Sequence, residues 1–119
     1  YLGYTQPEDI PNDFYSRLRG NRTLPMLVTE GGWSSANVAT VSSSQDLQAR
    51  YITRHADLLD SVSAVAYCQL QFADFDITTV PPPIPPNLPV FAAIGLADIE
   101  FRPKLALARW DSLFARPRQ

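Results

Sequence analysis

The chain has 119 residues, 45% of them hydrophobic and 18% charged, with a formal net charge of −2. That length holds one domain rather than two, and an ordinary apolar fraction excludes wholesale disorder. Mild acidity excludes a phosphate-seeking field, and with it nucleic acid as a partner; no apolar run approaches ~18 residues, so no membrane-spanning helix is expected.

The chain opens at Tyr1, with neither methionine nor leader, and reads as cut from inside something longer. Tyr1 to Thr5 is short, aromatic and extended in character. Pro7, Glu8, Asp9 and Pro11 mark a turn into a helix, where proline and acidic residues suit the first turn. Ile10, Phe14 and Leu18 supply its apolar stripe, and Gly20-Asn21 ends it. Leu24 to Thr29 is a compact apolar run of the length of a buried parallel strand, with Pro25 at its start. Glu30-Gly31-Gly32-Trp33 stops it, and Ser34 to Ser44 is a polar loop of small residues.

Ser43 followed by Asp46 resembles a capping box. The helix it opens runs to about Ser61, with Leu47, Tyr51, His55, Leu58 and Val62 on one face and Ile52 and Leu59 widening it. Val65 to Phe72 is the second strand. Alternation sends Val65, Tyr67, Gln69 and Gln71 to one side and Ala66, Cys68, Leu70 and Phe72 to the other. Asp74 to Leu88 is a loop stiffened by Pro81, Pro82, Pro83, Pro85 and Pro86. Phe91 to Leu96 is apolar. Arg102-Pro103 opens a last helix to about Ala115, with Leu107, Trp110 and Phe114 on one face. Helices alternating with strands define an α/β fold with a parallel sheet. Two strands alone leave its edges unpaired, so a complete small domain and a piece of a larger sheet are both open.

Glu30 is the most informative residue. Met26, Val28 and Glu30 share a strand face, which puts a carboxylate at the C-terminal rim of the sheet's buried side. Parallel α/β proteins bind ligands at that rim. A solvent-facing strand terminus is the competing reading. Cys68, alone in the chain, forms no internal disulfide or cysteine metal site and is expected as a buried thiol facing the helices. His55, also alone, is expected as a packing histidine.

The stretch Leu24-Pro-Met-Leu-Val-Thr-Glu-Gly-Gly-Trp33 resembles the seventh-strand motif of clan A glycoside hydrolases. Gln48-Ala-Arg-Tyr51 would open the helix after that strand, and Val65 to Phe72, with Asp74 and Asp76 behind it, is similar to strand eight and its loop. Ile94-Gly-Leu-Ala-Asp98 and Arg102-Pro-Lys-Leu-Ala-Leu-Ala-Arg-Trp110 resemble the closing segments of these enzymes. The resemblance implies a partial (β/α)8 TIM barrel, from the end of strand six through helix eight, with residues 1–119 the C-terminal fragment of one catalytic domain. It implies a retaining glycosidase acting on an O-glycosidic, β-linked substrate, with Glu30 the nucleophile and no cofactor or metal.

The acid/base partner of such an enzyme ends strand four, which would precede Tyr1, so the isolated chain is expected to be inactive. Asp74 and Asp76 match no acid motif and are expected to shape their loop. The family's strand-eight tryptophan is replaced here by Gln69, Gln71 and Phe72. These residues and Trp33 are the candidate substrate-binding side chains. For Trp33, stacking on a sugar and packing under a loop are both open; for Gln71, so are hydrogen bonding to sugar hydroxyls and filling the barrel mouth. Tyr4 and Tyr67 are rim candidates with core roles favoured, and Trp110 is a core residue. The partners implied are a carbohydrate and either the missing N-terminal part of the barrel or a second copy. The rival from another class is a non-catalytic carbohydrate-binding or partner-docking module, the latter using Pro81 to Pro86.

Overall fold

The computed structural model describes residues 3–38 and 40–117. Tyr1, placed above in the end of strand six, lies outside them, and residues 3–6 form a turn and bends. A 3-10 turn, Pro7–Asp9, precedes a short helix α1, Phe14–Arg19. Strand β1, Leu27–Gly31, leads through helix α2, Gln45–Asp60, to strand β2, Ala66–Gln69. A second 3-10 turn, Ile77–Thr79, a four-residue helix α3, Leu88–Phe91, and helix α4, Leu105–Phe114, complete the order. The two strands pair in parallel with α2 as their crossover, as the alternation predicts.

Helix α2 is the hub. Ser44, one residue after the expected cap, accepts a hydrogen bond from the Leu47 amide at its N-terminus. Its buried face carries Gln48, Tyr51, Ile52, His55, Leu58 and Leu59. Arg50 pairs with Glu8 to tie down the first 3-10 turn, and Asp60 pairs with Arg116 beyond α4. The first helix is broken where the sequence reads as continuous. Ile10 ends the 3-10 turn with an extended backbone, so its helical spacing to Leu18 is lost. Ile10 is buried, Leu18 is 61% exposed, and Tyr15 is the buried residue of α1. Gly20 caps α1 at φ 56°, a conformation favouring glycine.

The core lies on one side of the sheet. Ile10, Tyr15, Trp33, Tyr51, Ile52, Leu58 and Leu96 form it, with Val28, Tyr67 and Trp110 packed against them. The side chains of Leu27, Ala66, Cys68, Leu70 and Phe72 are exposed. These include the alternate positions of both strands, so the helices cover one face and leave the other bare. A radius of gyration of 15.0 Å accompanies this open arrangement, against about 13.5 Å for a compact domain of equal length.

This placement corrects the expected orientation of β2. Tyr67 and Gln69 face the helical layer, and the Tyr67 ring meets His55 edge-on with centroids 4.4 Å apart. Cys68 therefore points away from the helices and is exposed rather than buried. The strand is also shorter than the alternating run, because Gln71 and Phe72 have left the ladder to serve the loop behind it.

Candidate functional site

Glu30 stands at the C-terminal end of β1, where the strand is irregular. Val28 pairs with Tyr67 and Gly31 with Gln69, so two residues of β1 face one of β2. That is the count of a β-bulge. Gly31 occupies the helix-facing side, since a Cβ there would lie 2.6 Å from the Tyr67 ring. Val28 also packs on the core. Thr29 and Glu30 lie between them and are both exposed. The bulge thus moves Glu30 off the side it would share with Met26 and Val28 under strict alternation. Its carboxylate stands on the sheet's bare face, beside Cys68 in the ladder, and not on the buried side. No sequence signal marks the bulge except the two glycines after it.

The glutamines expected beside Glu30 have other work. Gln69 donates to the Ile94 carbonyl at 2.8 Å and accepts from the Tyr67 hydroxyl at 2.8 Å. Gln71 donates to the Phe91 carbonyl at 2.7 Å. Both fasten the end of α3 and the residues just after it instead of reaching toward the bare face. Phe72 is 57% exposed. Its amide-plane carbonyl accepts from the Leu96 and Ala97 amides, which holds the chain after the loop against the end of β2.

Trp33 is buried, its indole stacked on Tyr51 with centroids 5.3 Å apart and its Nε1 donating to the Ser43 hydroxyl. Packing takes most of the ring, and its remaining edge lines a hollow of about 220 Å³ together with Tyr4, Val90, Phe91 and Ile94. Trp110 packs against Tyr67 with centroids 5.2 Å apart. Asp76 caps the second 3-10 turn through the amide and hydroxyl of Thr78. The Asp74 carboxylate accepts from the Gly95 amide at 2.9 Å. Both aspartates shape the loop, as the sequence led us to expect.

The sequence reading missed the partner of Asp74. Lys104, at the N-cap of α4, is buried, and its ammonium sits 2.5 Å from the Asp74 carboxylate. It also donates to the Ser35 hydroxyl at 2.8 Å and the Gly95 carbonyl at 3.0 Å. One charge pair thereby joins the loop after β1, the loop after β2 and the start of α4. The available signal was a lone lysine bounded by Pro103 and an apolar run. Gly95 is required at this knot, since a Cβ would fall 2.4 Å from the backbone of Ala73 and Asp74.

His55 is fully buried in α2 between two phenols. The Tyr15 hydroxyl lies 2.5 Å from its Nε2 and the Tyr51 hydroxyl 3.0 Å from its Nδ1. Burial pushes its pKa down to about 4, so the ring is neutral at pH 7 and packs as expected. Among the described residues, no group of three His, Cys, Asp or Glu side chains could hold a metal ion. Nor is any helix among them long and apolar enough to cross a membrane.

No protein-family model and no curated sequence matches the chain. Solved structures do. A beta-glucuronidase from an uncultured Clostridium species superposes with a TM-score of 0.66 at 21% identity, over 98% of this chain and 21% of that one. A GH2 beta-galacturonidase from Eisenbergiella tayi bound to galacturonate gives 0.65 at 20%, over 97% of this chain and 23% of that one. A beta-glucuronidase from Ruminococcus gnavus gives 0.62 at 18%, over 91% and 19%. The chain is thus a small α/β unit with the fold of part of these glycoside hydrolases, and it spans about a fifth of their length.

Proposed function

We propose that the chain is the closing part of a (β/α)8 glycoside hydrolase barrel, from the end of strand six through helix eight, and that Glu30 is its nucleophile. The observation carrying this reading is the bulge at the end of β1. It sets an exposed carboxylate at the C-terminal rim of a parallel sheet, on the face the helices leave bare. In a closed barrel that face lines the interior, and the rim is where substrates bind. The likeness to glucuronidase and galacturonidase structures supports the same reading and points to a β-linked uronide as substrate.

In the retaining mechanism, a Glu30 oxygen attacks the anomeric carbon while the glycosidic carbon–oxygen bond breaks. A second carboxylic acid, about 5–5.5 Å away, protonates the departing oxygen. That group then takes a proton from water, which attacks the anomeric carbon and releases Glu30. The second carboxyl belongs to strand four, in the N-terminal part of the barrel that we propose as this chain's partner. Asp74 does not fill the role, since its carboxylate is held by Lys104 and the Gly95 amide.

The test is covalent trapping in the intact protein. A 2-deoxy-2-fluoro-β-glucuronyl fluoride should leave one sugar on the peptide containing Glu30. Hydrolysis of 4-nitrophenyl β-glucuronide or β-galacturonide should drop by at least about 10³-fold in Glu30→Gln. Label on another carboxylate would refute the assignment. Sugar binding without turnover, indifferent to Glu30→Gln, would instead favour a non-catalytic carbohydrate-binding module.

A further inference from the structure

We propose that Lys104 is a positioning residue for Glu30, its ammonium a built-in cation that locks the loop continuing from Glu30 onto the loop after β2. This role presupposes the hydrolase reading above and refines it.

Five oxygens surround one nitrogen. The Lys104 ammonium lies 2.6 Å and 2.5 Å from the two oxygens of the Asp74 carboxylate, 2.8 Å from the Ser35 hydroxyl, 3.0 Å from the Gly95 carbonyl and 3.5 Å from the Ala93 carbonyl. An ammonium has three protons to donate, so acceptors outnumber donors, as they do around a cation in an oxygen cage. The cage is drawn from separate stretches of chain. Ser35 belongs to the loop after β1, Asp74 to the chain leaving β2, and Ala93 and Gly95 to its return after α3. The lysine and aspartate side chains are 4% and 13% exposed. A compact charge with protons aimed in several directions suits such a cage, and the planar fork of a guanidinium does not. The chain uses arginine for every other positive side chain.

Glu30 needs an anchor because the ladder does not hold it. With Thr29 it occupies the bulge, between the pairs Val28–Tyr67 and Gly31–Gln69, and a bulge leaves its extra residue unpaired. Gly31 and Gly32 follow, and glycine restrains the backbone least. The Gly31 carbonyl accepts from the Leu70 amide. Among the described residues, the next main-chain bond from this loop across to the one after β2 is made by the Ser35 amide, which donates to the Ala93 carbonyl. The Ser35 hydroxyl donates to the same carbonyl and accepts from Lys104. Lys104 therefore pins the far end of a short span whose near end carries the carboxylate. Attack on an anomeric carbon requires that carboxylate in register, and a misplacement of ~1 Å caused far from the chemistry can cost about 10²-fold in rate.

The experiment uses the intact protein and 2-deoxy-2-fluoro-β-glucuronyl fluoride, with trapping of Glu30 followed against probe concentration. That separates the limiting rate of trapping from the concentration that gives half of it. Lys104→Met should lower the limiting rate by about 10²-fold and leave the half-saturating concentration within about twofold. Ser35→Ala removes one hydroxyl and leaves the Lys104–Asp74 pair in place, so it stays informative if Lys104→Met does not fold; it should lower the limiting rate by about tenfold. Leu58→Ala, a core truncation near the C-terminal end of α2, controls for stability alone. It should lower the melting temperature and leave the limiting rate per folded molecule unchanged. A limiting rate that Ser35→Ala and folded Lys104→Met leave intact, or that Leu58→Ala depresses equally, would overturn the positioning role and leave Glu30 as the nucleophile. A change confined to the half-saturating concentration would overturn it too, since it would assign the knot to substrate binding. Absence of label on Glu30 in the parent protein would bring down the hydrolase reading, and the positioning role with it.

Discussion

The buried imidazole of His55 makes stability depend on pH in a window that lies mostly above that of the surface carboxylates. Its pKa falls from an ordinary 6.5 to about 4 on folding, because burial disfavours the charged ring. Between those values the unfolded chain binds a proton that the folded chain refuses. Stability is therefore complete above about 6.5 and declines as pH falls toward 4, by about 3 kcal/mol in total. The sequence places His55 on the apolar face of its helix, which is why a packing role was legible. Its neighbour Tyr51, one turn away on that face, was legible too, but Tyr15 was not, since it comes from a separate, broken helix. Thermal melts of the chain from pH 7.5 to 4 should show a falling midpoint. His55→Gln, which keeps a donor and an acceptor without titrating, should flatten that slope while lowering stability at neutral pH. An unchanged slope in the variant would assign the loss to other groups. The Glu8 carboxyl is held low by its hydrogen bond to Arg50, and that of Asp76 by Thr78. Both are exposed; Glu8 acts from about 4.5 downward, at the acid end of the His55 window, and Asp76 below it.

Among the elements, the glycines at the ends of the strands do unequal work. The two Cβ atoms that alanine would add at Gly31 and Gly95 both collide, but with different things. At Gly31 the obstacle is the far end of the Tyr67 side chain, which can swing at the expense of its contacts with His55 and Trp110. At Gly95 it is backbone of Ala73 and Asp74, beside the Lys104–Asp74 pair, and nothing there can swing. Gly31→Ala should cost about 1–3 kcal/mol, and Gly95→Ala more, by urea unfolding of both chains. Equal costs would mean the Asp74 loop is softer than its charge pair implies. The same elements show what a linear reading can reach. Strand and helix order, the buried face of α2 and the turn-forming aspartates follow from periodicity and short-range hydrogen bonding, both written locally. The facing of β2 does not. Tyr67 and Gln69 were assigned to the side away from the helices because period two fixes which residues share a face and leaves open which face is covered. The bulge that turns Glu30 outward was likewise illegible, since one extra residue is invisible until the partner strand is counted against it.

At the scale of the whole molecule, the bare sheet face is the feature that demands an occupant. Leu27, Leu70 and Phe72 are 52%, 39% and 57% exposed along a two-stranded sheet that has an open edge on each side. Unpaired strand edges beside apolar side chains are templates for association. In the function proposed above, the remaining strands of the barrel cover that face and pair with both edges. Offered alone, the chain has another copy of itself as the surface of matching chemistry. Sedimentation velocity over a hundredfold concentration range should therefore show reversible self-association of the 119-residue chain. Leu27→Lys with Leu70→Lys should disperse it, because charges placed on both strands repel across any face-to-face contact. Both side chains are exposed but keep part of their surface covered within the chain, so the double variant should melt only a little below dilute parent protein, by about 1 kcal/mol for two surface positions. A parent chain that stays monomeric throughout the range would mean the exposed face is tolerated in water, and the need for a covering partner would disappear with it. A variant that disperses but also unfolds would place Leu27 and Leu70 in the core and contradict their exposure.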